Sequence, residues 1–171
     1  LKTPFGEVLL YYYINGSNWH HGIDIVSELL SRIRLHKWPK GLRTLSSTPA
    51  DIKKSGLEII NRLNDYHKNS LINICPDVYI SDIEPVLLHT DIVPGNLIIG
   101  GDGLRLIDWQ CPAIGDPIVD ITMFLSPAMH QIYNSGKLSM RDYENFLMNL
   151  SSELRDRYNI IGPLYHWRLA A

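Results

Sequence analysis

A chain of 171 residues is long enough to bury a sizeable core as one domain, and 45% hydrophobic with 20% charged residues is ordinary globular composition. A net charge of −2 gives no pull toward nucleic acid or an anionic membrane, and no apolar run nears the roughly 20 residues that span a bilayer. Two cysteines, Cys75 and Cys111, are too few for a disulfide framework or zinc cluster, and the N-terminus lacks a signal peptide's basic-then-apolar order, so a reducing cytoplasm is the expected location.

In chain order, Val8-Leu9-Leu10-Tyr11-Tyr12-Tyr13-Ile14 is a β-rich run closed by Asn15-Gly16 and reads as a buried strand. Ile23, Val26, Leu29, Leu30 and Ile33 recur at helical spacing and predict an amphipathic helix ending near Trp38-Pro39. Trp19, His20, His21 and His36 have no carboxylate or cysteine at ligand spacing, so packing or simple exposure explains them better than a metal does. Ser47-Thr48-Pro49 offers a helix cap followed by proline, and the helix it starts carries Ile52, Ile59, Ile60, Leu63 and His67 toward a core. Asp77 to Glu84 reads as a polar connector with a weak strand.

Next comes the stretch around which the chain is organised. Val86-Leu87-Leu88 runs into the polar loop His89-Thr90-Asp91-Ile92-Val93-Pro94-Gly95-Asn96, and Leu97-Ile98-Ile99 runs out of it. Gly100-Gly101-Asp102-Gly103 turns the chain back, and Leu104-Arg105-Leu106-Ile107 delivers Asp108 beside the loop, as two apolar runs joined by a Gly/Asp turn predict. Such a hairpin gathers Asp91, Asn96 and Asp108 around a small space. Two carboxylates and an amide supply the oxygen donors that a hard cation such as Mg²⁺ takes alongside water and substrate phosphates. Beyond Trp109, a loop leads to Gly115-Asp116-Pro117, with Asp116 as cap and Pro117 in the first turn of a helix holding Ile118, Ile121, Thr122 and Leu125, and Asp120 facing the loop. A further helix starts at Ser139-Met140-Arg141-Asp142. A last one runs from about Glu153 through Leu154, Tyr158, Ile161, Leu164, Trp167 and Leu169 to the terminus, where no stop signal is visible. Glu144, Glu153 and Asp156, interspersed with Lys137, Arg141, Arg155 and Arg157, read as a solvated face.

The spacing His-x-Asp-x-x-x-x-Asn resembles the catalytic loop of protein kinases. His89-Thr90-Asp91, Pro94-Gly95-Asn96, Ile107-Asp108-Trp109 and Gly115-Asp116-Pro117-x-x-Asp120, in that order, more closely resemble the aminoglycoside phosphotransferases and their choline-kinase relatives. The resemblance implies an α+β fold: the mostly helical C-terminal lobe of a protein-kinase-like fold, with a small β-hairpin carrying the catalytic loop. It places the interlobe hinge strand at about residues 7–15, with Tyr12 and Ile14 at the adenine edge. It also implies that residues 1–171 are one catalytic and substrate lobe. A glycine-rich phosphate loop and a strand lysine with its glutamate belong to an N-terminal nucleotide lobe that this sequence does not contain.

By the same resemblance, the parent enzyme transfers the γ-phosphate of ATP or GTP to a hydroxyl of a small molecule: an aminoglycoside, an amino alcohol or a sugar-like compound. Asp91 orients the hydroxyl and accepts its proton, Asn96 and Asp108 hold Mg²⁺, Ile98 and Ile107 pack beneath the adenine, and His89, Asp116 and Asp120 support the loop. Thr90 stands where the family often has glycine, and Val93 where histidine is common. The other expectation, from a different class, is a non-catalytic kinase-like binding module or an inactive fragment. No nucleic-acid or membrane partner is expected.

Overall fold

The computed structural model describes residues 2–3, 6–7, 12–63 and 66–171. The expected strand Val8–Ile14 falls partly outside them. Within the described part, residues 12–14 have irregular backbone, with Tyr12 almost fully exposed and Ile14 half-buried. Two short strands, β1 (Lys2–Thr3) and β2 (Gly6–Glu7), pair with each other antiparallel.

The helices form where an apolar stripe meets a capping residue. Helix α1 (Ile23–Arg34) buries Ile23, Val26, Leu30 and Ile33. It stops short of the expected Trp38 because Leu35 to Lys37 are exposed and the stripe has no core left to cover. Helix α2 (Pro49–Ile60) begins as expected, with Pro49 in the first turn and Thr48 Oγ1 accepting from Asp51 N–H at 3.2 Å. It ends at Ile60 rather than running on to His67. Ile52 and Ile60 are buried, Leu63 lies beyond the helix, and exposed His67 precedes a separate short helix, α3 (Lys68–Asn73).

The expected weak strand in Asp77–Glu84 is absent. Ile80 and Ile83 pack against the core from an irregular backbone, and the Ser81 carbonyl accepts from Arg157 Nη1 at 2.7 Å instead of joining a ladder. After β3 (Ser17–Asn18) and β4 (Arg43–Thr44), the central strands are β5 (Val86–Leu88), β6 (Leu97–Gly100), β7 (Gly103–Leu106) and β8 (Ala113–Gly115). Strands β6 and β7 form the expected hairpin, closed by Gly101-Asp102 and joined on its other edge by β3. The second sheet has the order β4-β8-β5, with β4 parallel and β5 antiparallel to β8. Strand β8 lies in what the sequence presents as a loop, since three residues carry no readable period.

Helices α4 (Ile118–Leu125), α5 (Pro127–Ile132), α6 (Met140–Met148) and α7 (Ser152–Ala170) complete the chain. Ser139 and Asp142 make a reciprocal capping box at the start of α6. The core draws on α1, α2, α4, α6 and α7 and reaches the His89–Asn96 loop through Ile92 and, at its end, Leu97. No helix among the described residues is long and apolar enough to cross a membrane.

Helices α2 and α7 meet at Gly56, where an added Cβ would lie 2.2 Å from Cζ3 of the buried Trp167, whose indole N–H donates to the Leu71 carbonyl at 2.7 Å. That hydrogen bond anchors the ring against the close approach of α2. Gly56→Ala is therefore expected to lower unfolding free energy by about 1–3 kcal/mol despite alanine's better helix propensity. Urea denaturation checks this; unchanged stability would show that the helices can separate freely.

Candidate active site

The loop is held from below by one buried carboxylate. Asp120, in the first turn of α4, accepts from His89 N–H at 2.9 Å through one oxygen and from Thr90 N–H at 2.8 Å through the other. Burial pushes its pKa up to about 6, against the two backbone donors and the Arg34 guanidinium, which favour the charged form. Asp120 therefore faces the loop as the motif implies.

Side chains and backbone then knit the loop to the hairpin. His89 Nε2 lies 3.0 Å from the Ile107 carbonyl, so this nitrogen carries the proton. Burial holds the His89 pKa below the usual histidine value, outweighing the Ile107 carbonyl and the Asp91 and Asp108 carboxylates. Nδ1 is buried without a partner, as suits a neutral ring that braces rather than transfers protons. The Ile107 N–H donates to the Asn96 carbonyl at 2.9 Å, bringing the residue before Asp108 beside Asn96. Asn96 Nδ2 donates to Asp91 Oδ2 at 2.9 Å and to the Asp91 carbonyl at 3.0 Å.

Asp91 is half-buried, Asn96 buried and Asp108 exposed, with Asp108 accepting a side-chain hydrogen bond from Gln110. Asp108 stands at φ 65, a left-handed conformation that aspartate tolerates. Thr90, at φ 71, is a genuine outlier for a β-branched residue and stores on the order of 1–3 kcal/mol. Pro94–Asn96 form a single 3₁₀ turn, and a Cβ on Gly95 would lie 2.5 Å from the Tyr133 ring just beyond α5.

Among the described residues no group of three or more His, Cys, Asp and Glu side chains is placed to hold a metal, so a protein-only cage is not formed. The donor set does fit a cation that keeps its own waters and phosphates. With the Asn96 Nδ2 committed to Asp91, its Oδ1 is directed elsewhere, and Asp108 adds an exposed carboxylate. Ile98 and Ile107 are half-buried at the hairpin. A cavity of about 200 Å³ lies between the start of α2, α4 and the end of α7, but none of Asp91, Asn96 and Asp108 lines it.

Asp116 caps α4, its Oδ1 accepting from Ile118 N–H at 2.9 Å, and its other oxygen takes Arg157 Nε at 2.9 Å with Nη2 at 2.7 Å. Arg157 is buried at 6% exposure, which corrects its reading as part of a solvated face. A signal existed: Leu154, Arg157, Ile161 and Leu164 fall on one stripe of α7, so Arg157 occupies a core position and needs an anion. Trp19 is buried and donates to Gly22 O at 3.1 Å, while His20, His21 and His36 are exposed.

A helical lobe with a hairpin-borne His-x-Asp loop defines a kinase-like phosphotransferase architecture. The model of the phosphotransferase enzyme family (APH) matches residues 34–150, and the chain belongs to that family. Solved structures share the fold. An aminoglycoside-3′-phosphotransferase of type VIII superposes with a TM-score of 0.54 at 15% identity, over 85% of this chain and 59% of that one. The AMP-bound spectinomycin phosphotransferase APH(9)-Ia gives 0.54 at 18% identity, over 91% and 57%. Choline kinase LicA from Streptococcus pneumoniae gives 0.51 at 19% identity, over 86% and 53%. The chain thus spans little more than half the length of these proteins. No curated protein sequence matches it.

The Asp120 carboxylate has a testable sign. Its pKa is raised from about 3.9 in the unfolded chain to about 6 in the fold, so the folded state holds the proton more tightly. Its contribution to stability is full below the unfolded value, falls as pH rises between those two values and is level above them. The difference in unfolding free energy between native protein and Asp120→Asn is expected to shrink over that window. A difference that grows with pH, measured by urea denaturation, would contradict the raised value.

Proposed function

We propose that this chain is the catalytic lobe of a small-molecule kinase that moves the γ-phosphoryl group of ATP or GTP to an alcohol. The observation that carries this reading is the continuous hydrogen-bonded circuit from His89 through Ile107 and Asn96 to Asp91, which ties Asp91 to Asn96 and holds the backbone of Ile107, the residue before Asp108, against both. Family membership supports the reaction class.

Asp91 Oδ2 is tethered by Asn96, leaving the carboxylate's other oxygen to receive the acceptor hydroxyl and orient it for in-line attack. The hydroxyl oxygen forms the new bond to the γ-phosphorus, the bond from that phosphorus to the bridging oxygen breaks, and the nucleoside diphosphate leaves. The acceptor's proton passes to Asp91 as the new bond forms. Asn96 Oδ1 and the Asp108 carboxylate would hold Mg²⁺, which when bound offsets charge on the phosphate oxygens. His89 keeps the loop against the strand and stays neutral. Ile98 and Ile107 supply an apolar floor for the adenine, and Tyr12 and Ile14 the hinge backbone at its edge.

The matched proteins extend well beyond the part that superposes on this chain, which covers 53–59% of their lengths, and this is compatible with a nucleotide lobe before it and the interlobe hinge at about residues 7–15. The acceptor is a small hydroxyl compound of the aminoglycoside, amino-alcohol or sugar-like kind.

Two measurements test the proposal. In the full-length protein, Asp91→Asn is expected to reduce phosphoryl transfer by a factor of about 10² or more while nucleotide binding persists; a fully active variant removes Asp91 from its assigned role. Residues 1–171 alone, lacking a roof over the phosphates, are expected to bind ATP poorly. Micromolar affinity in isothermal titration would refute the two-lobe reading.

A further inference from the structure

Thr90 is out of place in this site. It occupies φ 71, where glycine sits without strain and a β-branched residue does not. Strain of this kind persists only where the surroundings over-determine it, and it concentrates at functional sites. The Thr90 N–H bond to Asp120 gives no reason for threonine, since any residue there offers the same N–H. The hydroxyl makes the contacts that glycine cannot. It donates to the Cys111 carbonyl at 2.9 Å and accepts from Arg43 Nη2 at 3.3 Å. The same Nη2 also donates to the Cys111 carbonyl, at 2.9 Å.

The three groups close a triangle whose corners lie in separate segments. Arg43 is delivered by β4, where it stands opposite Ala113 of the parallel β8. Thr90 is bonded directly to Asp91, and Cys111 follows Asp108 by three residues. Exposed Asp108, itself at positive φ, otherwise leans on Gln110 of its own loop. The triangle is a hydrogen-bonded connection from the Asp91 loop to the segment beyond Asp108, alongside the ring contact of His89 with Trp109, and its donor is a guanidinium, whose charge-assisted bonds are the stronger kind.

We propose that Arg43, Thr90 and the Cys111 carbonyl form a clasp that holds the loop bearing Asp91 in register with the loop bearing Asp108, making Arg43 and Thr90 positioning residues for phosphoryl transfer. The inference rests on the roles assigned to Asp91 and Asp108 under the proposed function. The strained threonine is kept because its hydroxyl is the joint.

The test uses the full-length protein, with Asp91→Asn as control. Thr90→Gly removes the hydroxyl and relieves the backbone, so a structural role and a positioning role predict different things. The clasp predicts a urea midpoint that is unchanged or higher, a nucleotide KM little changed, a raised Mg²⁺ requirement and a kcat lower by about tenfold or more, since small displacements of reacting groups are costly. Thr90→Ser, which keeps the hydroxyl, retains most of the transfer. Arg43→Met lowers kcat as Thr90→Gly does, and the double variant falls no further than the worse single one because both break the same joint. Unchanged kcat in Thr90→Gly, loss of activity in step with loss of stability, or losses that multiply in the double variant would each overturn the clasp while Asp91→Asn remains inactive. A native protein without transfer, or a fully active Asp91→Asn, overturns the assigned site and the clasp's purpose with it.

Discussion

The structure around the site depends on a carboxylate held out of water. Asp120 sits inside the protein, at the start of a helix whose amide dipoles favour negative charge, and its two oxygens are taken up by the successive N–H groups of His89 and Thr90. In water each of those bonds would compete with solvent; in the interior the alternative is an unpaired buried anion, so the loop has one path. Everything that reaches the surface from the loop is aimed by that path.

A second buried acid stands just ahead of α4. Asp116 closes the helix start and grips Arg157 of α7, whose guanidinium also takes the Ser81 carbonyl. The pair ties the C-terminal helix and the irregular 77–85 segment to the helix that positions the loop. Removing one partner of such a pair leaves the other charged and buried, a loss of about 3–5 kcal/mol. The two acids reach in different directions from one helix end, Asp120 to the His89–Asn96 loop and Asp116 to α7.

Much of this was visible in the residues. The hairpin was legible because its apolar runs flank a glycine-rich turn, and the starts of α2 and α6 because Thr48-Pro49 and Ser139-x-x-Asp142 are local chemical signatures. Asp120 could be placed facing the loop from its position in the motif. Helix ends were less legible: α1 and α2 stop where the core stops, a fact that belongs to neighbours distant in sequence. Strand β8 was hidden by its brevity, and the 77–84 strand failed because Arg157 claims one of its carbonyls. Arg157 itself was missed among alternating charges on α7, where the apolar stripe is interrupted by the one cation that belongs inside. The strain at Thr90 needs coordinates; the sequence shows only a threonine.

Trp109 completes the picture from an unexpected side. Its indole meets the His89 ring edge-on, centroids 4.6 Å apart, and is anchored by its N–H to the Leu106 carbonyl while remaining partly open to solvent. Of the four tryptophans, Trp19 and Trp167 are enclosed in the core and Trp38 lies far along the chain from the loop. The indole thus fastens the loop carrying Asp91 to the segment just past Asp108 by ring packing, beside the hydrogen bond that the same imidazole makes to Ile107.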